Sequence, residues 1–131
     1  MKKKRLLDSF ALLAYLKKEN NWQRVKDLLS SDEHPVLMND VNVGETYYIL
    51  ARERSMEQAD AFLDVILPSL PIIVRSNSFK HVIEASKIKA CHPLSFADCF
   101  AAATALRENA VIVTGDPEFK RVRNLIDIEW L

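Results

Sequence analysis

Four carboxylates in this chain are placed where they could act together: Asp8 in "LLDSF", Glu45 in "NVGETYY", Asp98 in "SFADCF" and Asp116 in "VTGDPEF". Each lies at the end of a strand-like run or at the start of a helix-like run. Carboxylates gathered at one place repel each other and raise each other's pKa. A divalent cation removes that penalty. Ligation by oxygen alone suits Mg²⁺ or Mn²⁺ rather than zinc.

A simpler reading exists for each acid alone. Asp8 can cap the helix that begins at Ser9. Asn42 and Glu45 have capping-box spacing, and so do Ser95 and Asp98. Asp116 before Pro117 reads as a cap followed by proline at the first helical position. Taken together the acids say more. Ser, Thr and Asn cap about as well as Asp, yet all four sites carry a carboxylate. Two of them have apolar surroundings. Asp8 follows Leu6 and Leu7, and Asp98 has no charged neighbour from Pro93 to Leu106. A buried carboxylate without a partner is costly. The joint pattern argues for an acidic metal site.

Positioning such a site falls to alternating strands and helices. Strands are predicted over Lys4–Asp8, Pro35–Asn39, Leu70–Ser76 and Ala110–Asp116, with an edge strand over Ile126–Leu131. Helices are predicted over Ser9–Glu19, Asn21–Ser31, Val43–Arg54, Ser55–Leu67, Asn77–Ala90 and Ser95–Leu106, with a helical turn over Pro117–Val122. This alternation implies an α/β fold with a mostly parallel sheet and helices on both faces. Ligands of such folds bind beyond the carboxyl ends of the strands. No repeat, linker or low-complexity segment interrupts the chain, so one domain is expected over residues 1–131.

Bulk properties exclude several classes. Hydrophobic residues make up 49% of the chain and charged residues 27%, a globular balance with only 2 glycines to loosen it. The net charge is 0, so nucleic acid would not be held by overall charge alone. No apolar run approaches the ~18 residues of a membrane span. The basic start "MKKKR" is not followed by a small-residue cleavage site, so no signal peptide is expected. Cys91 and Cys99 lack metal-site spacing and are too few for a disulfide framework, which suits the cytosol. His34, His81 and His92 have no ligand or triad spacing and are given no role. There is no Gly-rich phosphate loop and no Ser–His–Asp arrangement.

The stretches "LLDSFALLAYL", "NVGETYYILAR", "SFADCFAAATAL" and "AVIVTGDPEF" together resemble the PIN domain, and within it the VapC-type toxins of toxin–antitoxin pairs. The resemblance runs along the whole chain in order, and Ser95–Phe119 is its most specific part. It implies a PIN-like three-layer fold and a metal-dependent endoribonuclease. The family's four catalytic acids fall on Asp8, Glu45, Asp98 and Asp116, and its hydroxyl residue near the last acid falls on Thr114. Mg²⁺ or Mn²⁺ would be held by Asp8, Asp98 and Asp116, with a metal-bound water attacking the phosphodiester. Glu45 would complete the metal shell or orient that water. One departure is Asn42, standing where a Ser or Thr commonly opens the Glu45 helix.

The resemblance further implies an RNA substrate, a cognate antitoxin, a homodimer and a cytoplasmic setting. Arg75, Lys80, Lys87, Lys89, Lys120, Arg121 and Arg123 are candidates for RNA contact. Two alternatives compete. A non-catalytic binding module on the same fold would not need all four acids. A phosphoacceptor receiver domain would need paired acids after its first strand and a Lys after its last, and neither is present.

Overall fold

The computed structural model describes residues 3–31 and 35–131, so the expectation for His34 lies outside the described residues. Five strands form one sheet: β1 (Arg5–Leu7), β2 (Val36–Asn39), β3 (Ile72–Arg75), β4 (Val111–Thr114) and β5 (Ile128–Trp130). Their order is β3-β2-β1-β4-β5 and every pairing is parallel. The order reverses at β1. The next strand in sequence lies on one side of it and β4 lies on the other. Such a reversal opens a crevice at the carboxyl ends of the two strands that flank it.

Helices cover both faces. They are α1 (Ser9–Lys17), α2 (Trp22–Ser30), α3 (Asp40–Glu53), α4 (Met56–Ala61), α5 (Leu67–Ser69), α6 (Phe79–Cys91) and α7 (Phe96–Glu108). Alternate strand residues feed different cores, as the period of a strand demands. Leu6, Leu37 and Ile112 join the core beneath α7, whereas Leu7, Val36 and Val113 join the one beneath α1 and α2. A third core holds Leu12, Met38, Leu50 and Phe62. Burial on both sides explains why these strands read as continuous apolar runs rather than alternating ones.

Helix α7 is the central one, and every residue from Asp98 to Ala105 is buried. Its alanines let it lie close to α6, α3 and the sheet at once. Beyond β4 a 3₁₀ turn spans Pro117–Val122. Phe119 and Val122 from this turn are fully buried. Burying a side chain of that size is worth roughly 2 kcal/mol, which pins the turn and the acids it carries.

Two expectations are corrected here. The helix after β2 starts at Asp40 rather than Val43, because Asn39 is its cap and accepts from the Val41 N–H. Asn42 and Glu45 are therefore inside the helix and form no capping box. The helix expected over Ser55–Leu67 changes register. After α4 a π-helical turn runs from Phe62 to Ile66, with the Leu67 N–H bonded to the Phe62 carbonyl, and α5 follows. Pro68, which has no N–H to donate, lies just beyond this wider turn.

Candidate active site

Asp8 ends β1 and has two tasks. Its Oδ1 accepts from the Ala11 N–H at 2.9 Å and caps α1, while its Oδ2 accepts from the Thr114 hydroxyl at 2.5 Å. The same hydroxyl oxygen accepts from the Asp116 N–H at 2.9 Å. Thr114 thus ties the end of β1 to the turn after β4. Asp116 caps the 3₁₀ turn by accepting from the Glu118 N–H at 3.0 Å. The capping reading of Asp8 and Asp116 is correct as far as it goes, and it leaves oxygens over.

Asp98 is different. Ser95 caps α7 by accepting from the Asp98 N–H at 3.1 Å, so the cap uses the Asp98 backbone and not its carboxylate. That carboxylate is buried beside Asp116. One oxygen each from Asp98, Asp116 and Glu118 lie within 4.8 Å of one another. Glu45 projects from the second turn of α3, half-buried, and accepts a hydrogen bond from the Ser9 hydroxyl. The cap at Asn39 leaves Glu45 with no role in opening its helix.

Electrostatics bear out the crowding. Burial pushes the Asp8 carboxyl up to about 7, against the hydrogen bonds from Thr114 and Ala11, and the charges of Asp98 and Asp116 add to the rise. Asp98 is likewise pushed up to about 7, by burial first, then by Asp116, with Glu45 and Glu118 adding to the rise and Ser95 opposing it. Three hard carboxylate donors at this spacing, backed by a fourth buried acid, fit a divalent cation of the Mg²⁺ or Mn²⁺ kind.

Asn42 does not open the helix but is fully buried, and its Nδ2 donates to the Ala97 carbonyl at 3.2 Å, one residue before Asp98. Its Oδ1 is buried with no partner among the described residues. Asn39, also fully buried, donates to Thr104 and exchanges hydrogen bonds with Asn77, locking the ends of β2 and β3 to α7.

Sequence reasoning missed two of these residues. Glu118 in the first turn after Pro117 reads as an ordinary complement to a helix dipole. Its spacing of two from Asp116 was the available signal. Ser9 follows Asp8 directly, and only the fold shows that it reaches Glu45. Of the basic candidates, Arg75 is occupied by Glu108 at 2.9 Å. Lys89 and Arg121 donate to the Leu94 and Pro93 carbonyls and brace the turn before α7. Lys80, Lys87, Lys120 and Arg123 make no ion pair among the described residues.

The family model of the PIN domain matches residues 5–125, and the chain belongs to that family. Solved structures with similar folds include VapBC2 from Rickettsia felis bound to a DNA fragment from its promoter. It is 22% identical with a TM-score of 0.75, over 97% of this chain and 98% of that one. A second is VapC20 of Mycobacterium tuberculosis, described as a sarcin–ricin loop cleaving toxin. It is 17% identical with a TM-score of 0.77, over 96% of this chain and 99% of that one. A third is FitAcB from Neisseria gonorrhoeae, 18% identical with a TM-score of 0.72, over 95% of each chain. No curated protein matches the sequence.

Proposed function

We propose that this chain is a metal-dependent endoribonuclease and the toxin of a toxin–antitoxin pair, built as one domain over residues 1–131. The observation that carries the proposal is the convergence of Asp98, Asp116 and Glu118 at the carboxyl end of the sheet, with Asp8 outside that group but close enough for its carboxyl to feel the charges of Asp98 and Asp116. A fold gains no stability from burying these carboxylates beside one another. Asp98, Asp116 and Glu118, with Asp8 adding its charge nearby, would hold Mg²⁺ or Mn²⁺. When bound, the metal supplies positive charge for a scissile phosphate and a water of lowered pKa.

The chain's own residues prepare that chemistry. Thr114 fixes Asp8 and Asp116 relative to each other through one oxygen. Ser9 donates to Glu45 Oε1, which orients the carboxylate so that its other oxygen could accept from a water. The closed Phe119 and Val122 core keeps the Asp116 turn from drifting.

RNA as substrate is supported by the family and by the fold shared with a toxin described as cleaving the sarcin–ricin loop. An antitoxin partner is supported by the fold shared with VapBC complexes. Met56, Leu63 and Val65 around α4 and its π turn are exposed apolar residues that suit a homodimer or antitoxin contact. No helix among the described residues is long and apolar enough to cross a membrane, which suits the proposed cytoplasmic setting.

The test is calorimetric titration with Mn²⁺ or Mg²⁺, paired with cleavage of total RNA, on the wild type and Asp98→Asn. Joint loss of binding and cleavage in the variant is expected. A wild type that binds metal but cleaves no RNA would point to a binding module instead.

A further inference from the structure

Phe10 is an aromatic residue that the fold could have buried and did not. It is the second residue of α1, two positions after Asp8, and it remains 45% exposed. Its ring rests on Gly115. A Cβ built at Gly115 would lie 2.4 Å from Phe10 Cε1 and 3.0 Å from Cζ. With the ring in this position a side chain at residue 115 would collide with it, so the glycine makes room for the approach. Gly115 does not have a positive φ, so the glycine serves the ring and not a turn. The ring is therefore held against the backbone between Thr114 and Asp116, the two residues linked to Asp8.

We propose that Phe10 is a stacking platform for the nucleobase next to the scissile phosphate. This rests on the ribonuclease reading of the acid cluster. Gly115 directly precedes Asp116, so a phosphate held at Asp116 would have its flanking base beside the ring. Base stacking on an aromatic side chain needs an unstacked base, as in loops and single strands. Nucleic acid is favoured over a peptide because the ring lies against Gly115, the residue before Asp116, beside the carboxylates that would hold the metal and its phosphate. Phe96, also exposed, is no substitute. It sits two residues from Asp98 on α7, about 200° around the helix, and its ring packs edge-on against Phe100.

The experiment compares wild type, Phe10→Leu and Phe10→Tyr on a single-stranded RNA and on copies carrying an abasic site on either side of the cleaved bond. Binding is read by fluorescence anisotropy and cleavage by gel, with thermal melts to check folding. Loss of one stacked base should weaken wild-type binding roughly 5- to 150-fold. Phe10→Leu should bind the intact RNA about as weakly and be indifferent to the abasic site, while Phe10→Tyr should behave like wild type. A wild type indifferent to both abasic sites would overturn the proposal. So would a Phe10→Leu variant that still feels them, since its defect would then be structural. Loss of antitoxin binding in Phe10→Leu with RNA binding intact would assign the ring to a protein partner and overturn it too. If the wild type neither binds nor cleaves any RNA, the ribonuclease reading falls, and this proposal falls with it.

Discussion

Without metal, the protein should become less stable as pH rises from 5 to 8. Both Asp8 and Asp98 hold their protons more tightly in the folded chain than in the unfolded one, because both are raised from 3.8 to about 7. Protonation therefore stabilises the fold. That contribution is complete below about pH 4 and is lost as pH rises through about 7. The gap spans roughly 3 pH units, and at about 1.4 kcal/mol each it amounts to about 4 kcal/mol for one acid. The acids repel each other, so the pair contributes less than twice that. Glu53 works in the opposite sense, since Lys17 holds it below 4.5, but its effect is confined to lower pH.

Between pH 5 and 7 about 2 of those pH units are lost, about 3 kcal/mol for one acid, which for a domain of this size corresponds to a fall in Tm on the order of 10 °C. The assay is thermal unfolding followed by circular dichroism, in EDTA, at half-unit steps between pH 5 and 8. Asp98→Asn should be the more stable protein at pH 8 and should show a shallower decline, since it removes one acid and relieves the other. Millimolar Mg²⁺ or Mn²⁺ should restore the wild type at pH 8 by binding only the folded chain, and should do little for the variant. A wild-type Tm that is flat or rising across this range in EDTA would refute the reasoning. So would an Asp98→Asn variant with an unchanged slope. A sharp loss of stability in the variant at every pH would show that Asp98 is chiefly structural.

Three further outcomes follow from the same geometry. Thr114→Val leaves Asp8 Oδ2 without its donor and the Asp116 N–H without its acceptor. It should cost about 1–3 kcal/mol in urea unfolding and most of the cleavage activity, with both recovered in Thr114→Ser. Asn39→Ala removes the α3 cap and the bond to Thr104. It should lower stability by about 2 kcal/mol, read as an earlier urea midpoint at unchanged slope. Glu118→Gln should weaken Mn²⁺ binding by roughly tenfold in calorimetry without lowering Tm in EDTA, because it removes a nearby charge from Asp98.

The parts of this fold that were legible are those where burial and chemistry leave few options. The strand runs "RLL", "VLM" and "VIVT" are apolar because both sheet faces are covered, and that fixed their place in a parallel sheet. Asp98 stood out because it is the one charge in the run from Pro93 to Leu106, a run that is apolar because residues 98–105 are buried. The misreadings have a common cause, which is that local spacing offers two equivalent answers. Asn39 and Asn42 are three residues apart and either can cap. Asn42 followed by Glu45 has the better box pattern, but β2 extends to Asn39 and the helix starts where the strand stops. Ser9 and Glu45 lie 36 positions apart, and no local pattern links them.

Two of the proposed site residues, Asp8 and Asp116, are also capping residues, and that overlap has a physical reason. A helix start offers free N–H groups that orient a carboxylate by one oxygen. The second oxygen then points out of the helix at a fixed angle. Asp8 and Asp116 are both held in this manner, and the parallel sheet sets their helix starts side by side at the point where the strand order reverses. Asp98 is spared even this, since Ser95 does its capping. The site therefore needs no dedicated scaffold. The fold supplies rigid carboxylates at its crevice as a consequence of starting its helices there, and the residual repulsion among them is what a bound cation would relieve.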